Sequence, residues 1–112
     1  MRGINRVVLS GNTTGKIDFS RTDSGTDACT FTLASDRHSA GGVVTAFVKV
    51  NVYVEALVKL CRLRLQKGSY ILVEGELMNR VTPAGKTIEV RAWELLFLGP
   101  VGVAEEKPTK ES

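Results

Sequence analysis

The chain has 112 residues, a net charge of +3 and 43% hydrophobic residues, values that describe one small domain with a modest core. No run approaches the roughly 18 apolar residues of a membrane helix, so no membrane partner is expected. Met1–Arg6 lacks the apolar stretch and cleavage site of a signal peptide, and a secreted protein is not expected either.

Ile4–Gly11 is β-branched and closed by glycine, which predicts a first strand. Asn12–Gly15 is expected as a turn, and Lys16–Thr22 as a further extended stretch. Asp23–Asp27 collects turn formers. A second strand follows, with Cys29, Phe31 and Leu33 alternating with Thr30, Thr32 and Ala34, and it ends in the polar, flexible segment Ser35–Gly42, the expected tip of a long hairpin. Thr45–Tyr53 is the third strand. From Val54 to Lys67 the period changes to about 3.6, with Val54, Leu57, Val58, Cys61 and Leu65 on one stripe and Gly68 as the stop, so one helix is expected there. Tyr70–Val81 and Lys86–Leu98 are strands joined by a turn at Thr82–Gly85, and Pro100 ends regular structure. The domain is expected to span 1–100, followed by a flexible tail over 101–112.

Five strands with a single helix between the third and fourth predict an all-β fold, a small Greek-key barrel of the oligonucleotide/oligosaccharide-binding type, or OB fold. A sandwich would need more strands and a doubly wound fold more helices.

The third strand carries the most informative chemistry. In an extended chain Ala46, Val48, Val50 and Val52 face one way, as a core face, and Thr45, Phe47, Lys49, Asn51 and Tyr53 the other. Two aromatic rings flanking a cation suit base stacking beside phosphates, although cross-strand packing and edge protection also place such residues on sheets. Without Glu105–Ser112, thirteen bases face nine acids, a mild basic bias that suits a polyanion. Arg6, Lys49, Arg80, Lys86 and Arg91 are candidates for a cationic track, whereas Lys59, Arg62, Arg64 and Lys67 belong to the helix and its solvated face. Arg37 is a candidate for a backbone contact, and the adjoining His38 is either a solvated loop residue or a stacking ring. Trp93 fits a subunit interface, the path of a ligand or the cover of a barrel end.

Catalysis is not expected. Gly11–Lys16 spaces its glycines too closely for a phosphate-binding loop, and Ile17 stands where Ser or Thr would bind magnesium. One histidine and scattered acids leave a zinc site or a Ser-His-Asp arrangement without its parts, so neither metal nor cofactor is expected. Cys29 and Cys61 lie in apolar patterns and read as buried free thiols.

Asn5–Asn12, Phe31–Ser35, Thr45–Phe47, Tyr53, Lys67–Ser69 and Val73–Leu77, in that order, resemble the landmarks of bacterial-type single-stranded DNA-binding proteins over residues 4 to 98. The resemblance implies sequence-independent binding and protection of single-stranded DNA in replication, recombination or repair. It also implies a homo-oligomer, a tetramer by preference and a dimer as the alternative. By position it makes Phe47 and Tyr53 the base-stacking rings. Family members carry further aromatics on two hairpins, where this chain has His38 and Val81, so a thinner platform is expected. The acidic tip that recruits replication enzymes in many members has no counterpart at Glu111–Ser112, and recruitment by that route is not expected. A cytoplasmic, nucleoid-associated location is implied, with an organelle as the alternative. Two other readings share the barrel: a dimer like primosomal replication protein N, and a protein-interaction subunit.

Overall fold

The structure, a computed structural model, describes residues 3–99. The strands are β1 (Val7–Arg21), β2 (Asp27–Ser39), β3 (Gly42–Val52), β4 (Tyr70–Thr82) and β5 (Gly85–Phe97), and helix α1 (Glu55–Arg64) lies between β3 and β4. They form a closed barrel in the order β1-β2-β3-β5-β4, the OB-type architecture that the element order predicts. The tail over 101–112 and Pro100 lie outside the described residues.

Alternation builds the core. Cys29, Phe31 and Leu33 of β2, Val50 and Val52 of β3, Ile71 and Val73 of β4, and Val90, Ala92 and Leu95 of β5 are all buried, with Val58, Cys61 and Leu65 closing one end. Each large apolar side chain removed from water there contributes about 1.5–3 kcal/mol. Both cysteines are free and buried, and a hydrogen bond with Cys61, together with burial, holds the Cys29 thiol above its ordinary value, in its protonated form.

Closure requires close backbone approaches. A Cβ on Gly11 would stand 2.1 Å from the Ala34 carbonyl oxygen, and one on Gly75 would stand 2.0 Å from that of Arg91. Gly75 also marks the register shift between β4 and β5, beside Glu74.

Four expectations are corrected. Asn12–Gly15 is no turn but part of a continuous β1 that changes partner, pairing with β4 through Asn12 and with β2 from Asn12 onward. Of these four residues only Gly15 falls in the bulge between Thr14 and Asp18; the paired stretch before it is tied down where Thr13 Oγ1 donates to the Gln66 carbonyl (2.6 Å) and accepts from the Ser69 amide (3.0 Å). The helix is shorter than Val54–Lys67. Leu65 takes an extended conformation (φ −80°, ψ 129°), which turns its side chain into the core, and Gly68 (φ 91°) serves the following turn instead. Ser35–Gly42 is regular rather than flexible, since β2 and β3 pair as far as Ser39 and Gly42. Ala46 is exposed, because the β2–β3 hairpin outruns the barrel it springs from.

Replacing Gly75 with alanine is expected to destabilise the domain by about 1–3 kcal/mol, since strand backbone must move to admit a methyl group. Gly41, with open space around it, serves as the control: alanine there should shift urea unfolding by less than about 0.5 kcal/mol. Equal midpoints for the two variants would contradict the crossing at Gly75.

Candidate nucleic-acid interface

Residues opposite one another in an antiparallel ladder share a face. The β2–β3 register therefore places Thr30 with Asn51, Thr32 with Lys49, Ala34 with Phe47, Asp36 with Thr45 and His38 with Val43 on the outer surface. Two hydrogen bonds fix the rows at either end: Thr45 Oγ1 donates to Asp36 Oδ1 (2.6 Å) and Thr30 Oγ1 to Asn51 Oδ1 (3.1 Å).

Of the four phenylalanines in the chain, Phe31 is buried and Phe19 and Phe97 pack against the core. Arginines from the helix lie over the last two rings, Arg62 at 4.4 Å from the Phe19 centroid and Arg64 at 4.8 Å from that of Phe97. Phe47 is 70% exposed. Its cross-strand neighbour is the small Ala34, which leaves the ring standing clear on a rigid strand.

Lys49 lies two residues on, exposed on the same face. Among the described residues it has no carboxylate within ion-pair distance, and the same holds for Arg37 and Lys86. Tyr53 is half-buried just past the end of β3. Trp93, 45% exposed, likewise lies one position past the last β3–β5 pair, Val52 with Ala92. Arg91 pairs across the ladder with Asn51 and lies 3.8 Å from Glu76. His38 and Thr45 share the Phe47 face. A cleft at the hairpin root, lined by Ser10, Asn12, Ala34, Asp36, His38 and Tyr70, adjoins it.

The candidate track does not form one line. Arg37 alternates with His38 and opposes Val44, so it points to the reverse of the hairpin. Arg6 is ion-paired with Glu74 on the β1–β4 side. Lys86 follows the parity of Val90 near the tip of the β4–β5 hairpin, on the face opposite Arg80. Lys49, Arg80 and Arg91 remain together around Asn51.

Asn51 itself is a further correction: although on the outer face, it is fully buried. Its amide donates to Glu89 Oε1 (2.8 Å), and Arg80 donates to its Oδ1 (2.8 Å). Sequence reasoning passed over Glu89. A lone acid in an otherwise alternating strand carries no signal until the β3–β5 crossing brings Asn51 against it.

The barrel and the exposed ring on its outer sheet define an OB-type binding domain. A family model, that of the single-strand binding protein family, matches residues 4–96, and the chain belongs to that family. Single-strand binding is the activity that this membership carries, and the proteins of the family are binders rather than enzymes. A solved structure described as "Plasmodium falciparum SSB complex with ssDNA" shares the fold, with a TM-score of 0.77 at 22% identity over 88% of this chain and 98% of that one. Among curated proteins, none matches.

Because Phe47 touches so little, Phe47→Ala should change unfolding free energy by less than about 0.5 kcal/mol. Phe31→Ala should cost about 3–5 kcal/mol. Chemical denaturation of the two variants checks the pair, and a large loss at Phe47 would mean that the ring belongs to the core.

Proposed function

We propose that the protein binds single-stranded DNA without regard to sequence, stacking a base on Phe47 and a second on Tyr53 while Lys49, Arg80 and Arg91 meet phosphates. The observation that carries this reading is the 70% exposure of Phe47 on a regular strand with an exposed lysine two residues away. A π-face accepts any base, and each stacked ring contributes about 1–3 kcal/mol, so affinity without sequence preference follows from the chemistry. Protecting exposed strands during replication, recombination or repair is the use that fits.

We propose further that the protein acts as a homo-oligomer, a tetramer in preference to a dimer. Two features support a second copy as the partner. Among the described residues the stretch Val7–Ser10 pairs with β4 alone, which leaves its other edge open to another strand. The outer surface of β1, β4 and β5 presents Val8, Tyr70 and Leu96 at 54%, 46% and 55% exposure, next to Leu72, an apolar patch of the kind that interfaces cover.

Fluorescence anisotropy of a labelled oligothymidine, with duplex DNA as competitor, tests the binding reading. Single-strand-selective association is expected, and Phe47→Ala should weaken it by about 1–3 kcal/mol. Log affinity should fall linearly with log salt, by about 0.7 per neutralised phosphate. A flat salt response, or wild-type affinity in Phe47→Ala, would contradict it. Light scattering coupled to size exclusion should return four times the 12.1 kDa chain mass; twice that mass would replace the tetramer with a dimer.

A further inference from the structure

A carboxylate is an awkward group to place on a surface that receives a polyanion, and burying it adds a desolvation penalty. Glu89 is only 8% exposed, and it lies at the junction of all four strands that form this face. Its Oε1 accepts from the Asn51 amide (2.8 Å) and lies 3.8 Å from Arg80 Nη1, while its Oε2 accepts from Thr87 Oγ1 (3.0 Å). Asn51 in turn accepts from Arg80 Nη1 (2.8 Å) and from Thr30 Oγ1 (3.1 Å). Thr30, Asn51, Arg80 and Glu89 come from β2, β3, β4 and β5 respectively.

The result is an anchored guanidinium. One nitrogen of Arg80 is committed to the knot, and among the described residues the others have no protein acceptor. The Arg80 side chain remains 42% exposed. Asn51 lies on the Phe47 face four residues along β3, about 13 Å away at roughly 3.3 Å per residue, with Lys49 between them. A long arginine loses rotamer entropy when it binds a phosphate, and holding it beforehand lowers that cost.

We propose that Glu89 is a positioning residue for strand binding: together with Asn51 it fixes the Arg80 guanidinium so that its free N–H groups meet a phosphate near the base stacked at Phe47. The proposal rests on the DNA-binding reading above and deepens it. It also has a distinctive sign. By long-range electrostatics alone, neutralising an acid on this face tightens the grip on DNA; loss of positioning weakens it.

The test measures oligothymidine anisotropy for the wild-type protein, Glu89→Gln, Arg80→Gln, Glu89→Gln combined with Arg80→Gln, Phe47→Ala, and Phe47→Ala combined with Glu89→Gln, with thermal melts to establish folding. Glu89→Gln is expected to weaken binding about five- to tenfold, Arg80→Gln by at least as much, and the double variant no more than Arg80→Gln alone, because contacting residues couple. The Phe47 and Glu89 losses should multiply. Wild-type or tighter binding by Glu89→Gln overturns the proposal, as does a loss that persists in full when Arg80 is already replaced. Should Glu89→Gln fail to fold, Glu89→Asp takes its place with the same expected loss and the same coupling, since it keeps the charge but withdraws it by one methylene. Failure of the wild-type protein to bind would overturn the DNA reading and the proposal together, whereas loss confined to Phe47→Ala would overturn this proposal alone.

Discussion

Everything on the Phe47 face depends on a barrel that closes over less of each strand than the strand's full length. Closure needs two backbone crossings tight enough that Gly11 and Gly75 have no room for a methyl group. It also needs a short parallel contact, Val50–Val52 against Val90–Ala92. Beyond these points the 13-residue β2 and the 11-residue β3 continue as a hairpin. The same alternation that fills the core then supplies a surface with solvent on both sides, and Ala46, Val44 and Arg37 face water from positions whose parity is that of the core.

That geometry divides the aromatic residues and the charges. Phe19 and Phe97 lie under arginines of the helix, so those cations cover rings of this chain, and Phe47 remains the exposed phenylalanine. Arg6, Lys16, Arg21 and Lys59 each face a carboxylate, and exposed pairs of this kind contribute little to stability. Arg80 and Arg91 also lie near carboxylates, those of Glu89 and Glu76, but they stand around Asn51 on the Phe47 face. The exposed bases that share the Phe47 face are fewer than composition alone suggests, since Arg37, Lys86 and Arg6 lie elsewhere.

Much of the fold was legible in the sequence. Period-two alternation located the five strands, a change to a 3.6 period located the helix, and their order was enough for the OB barrel. Phe47 could be singled out because alternation puts it opposite a run of valines. Long-range geometry was not legible. Thr13 bonds to Gln66 and Ser69 across more than fifty positions, and the apparent turn at Asn12–Gly15 is held within β1. Leu65 leaves the helix early because the core claims it. Arg37 and His38 were both candidates, yet one step of parity sends them to opposite faces. Asn51 had the correct face but not the correct burial, since Arg80 and Glu89 cover it from strands 29 and 38 positions away in sequence.

If one face, centred on Phe47, receives single-stranded DNA, the residues of that face respond to it. Backbone amide shifts in two-dimensional NMR, followed as an oligothymidine is added, test it directly. The changes are expected on Thr30–Asp36, Thr45–Asn51 and the β4–β5 residues around Arg80 and Glu89. Changes confined to Val8, Tyr70 and Leu96, or none at saturating DNA, would contradict it.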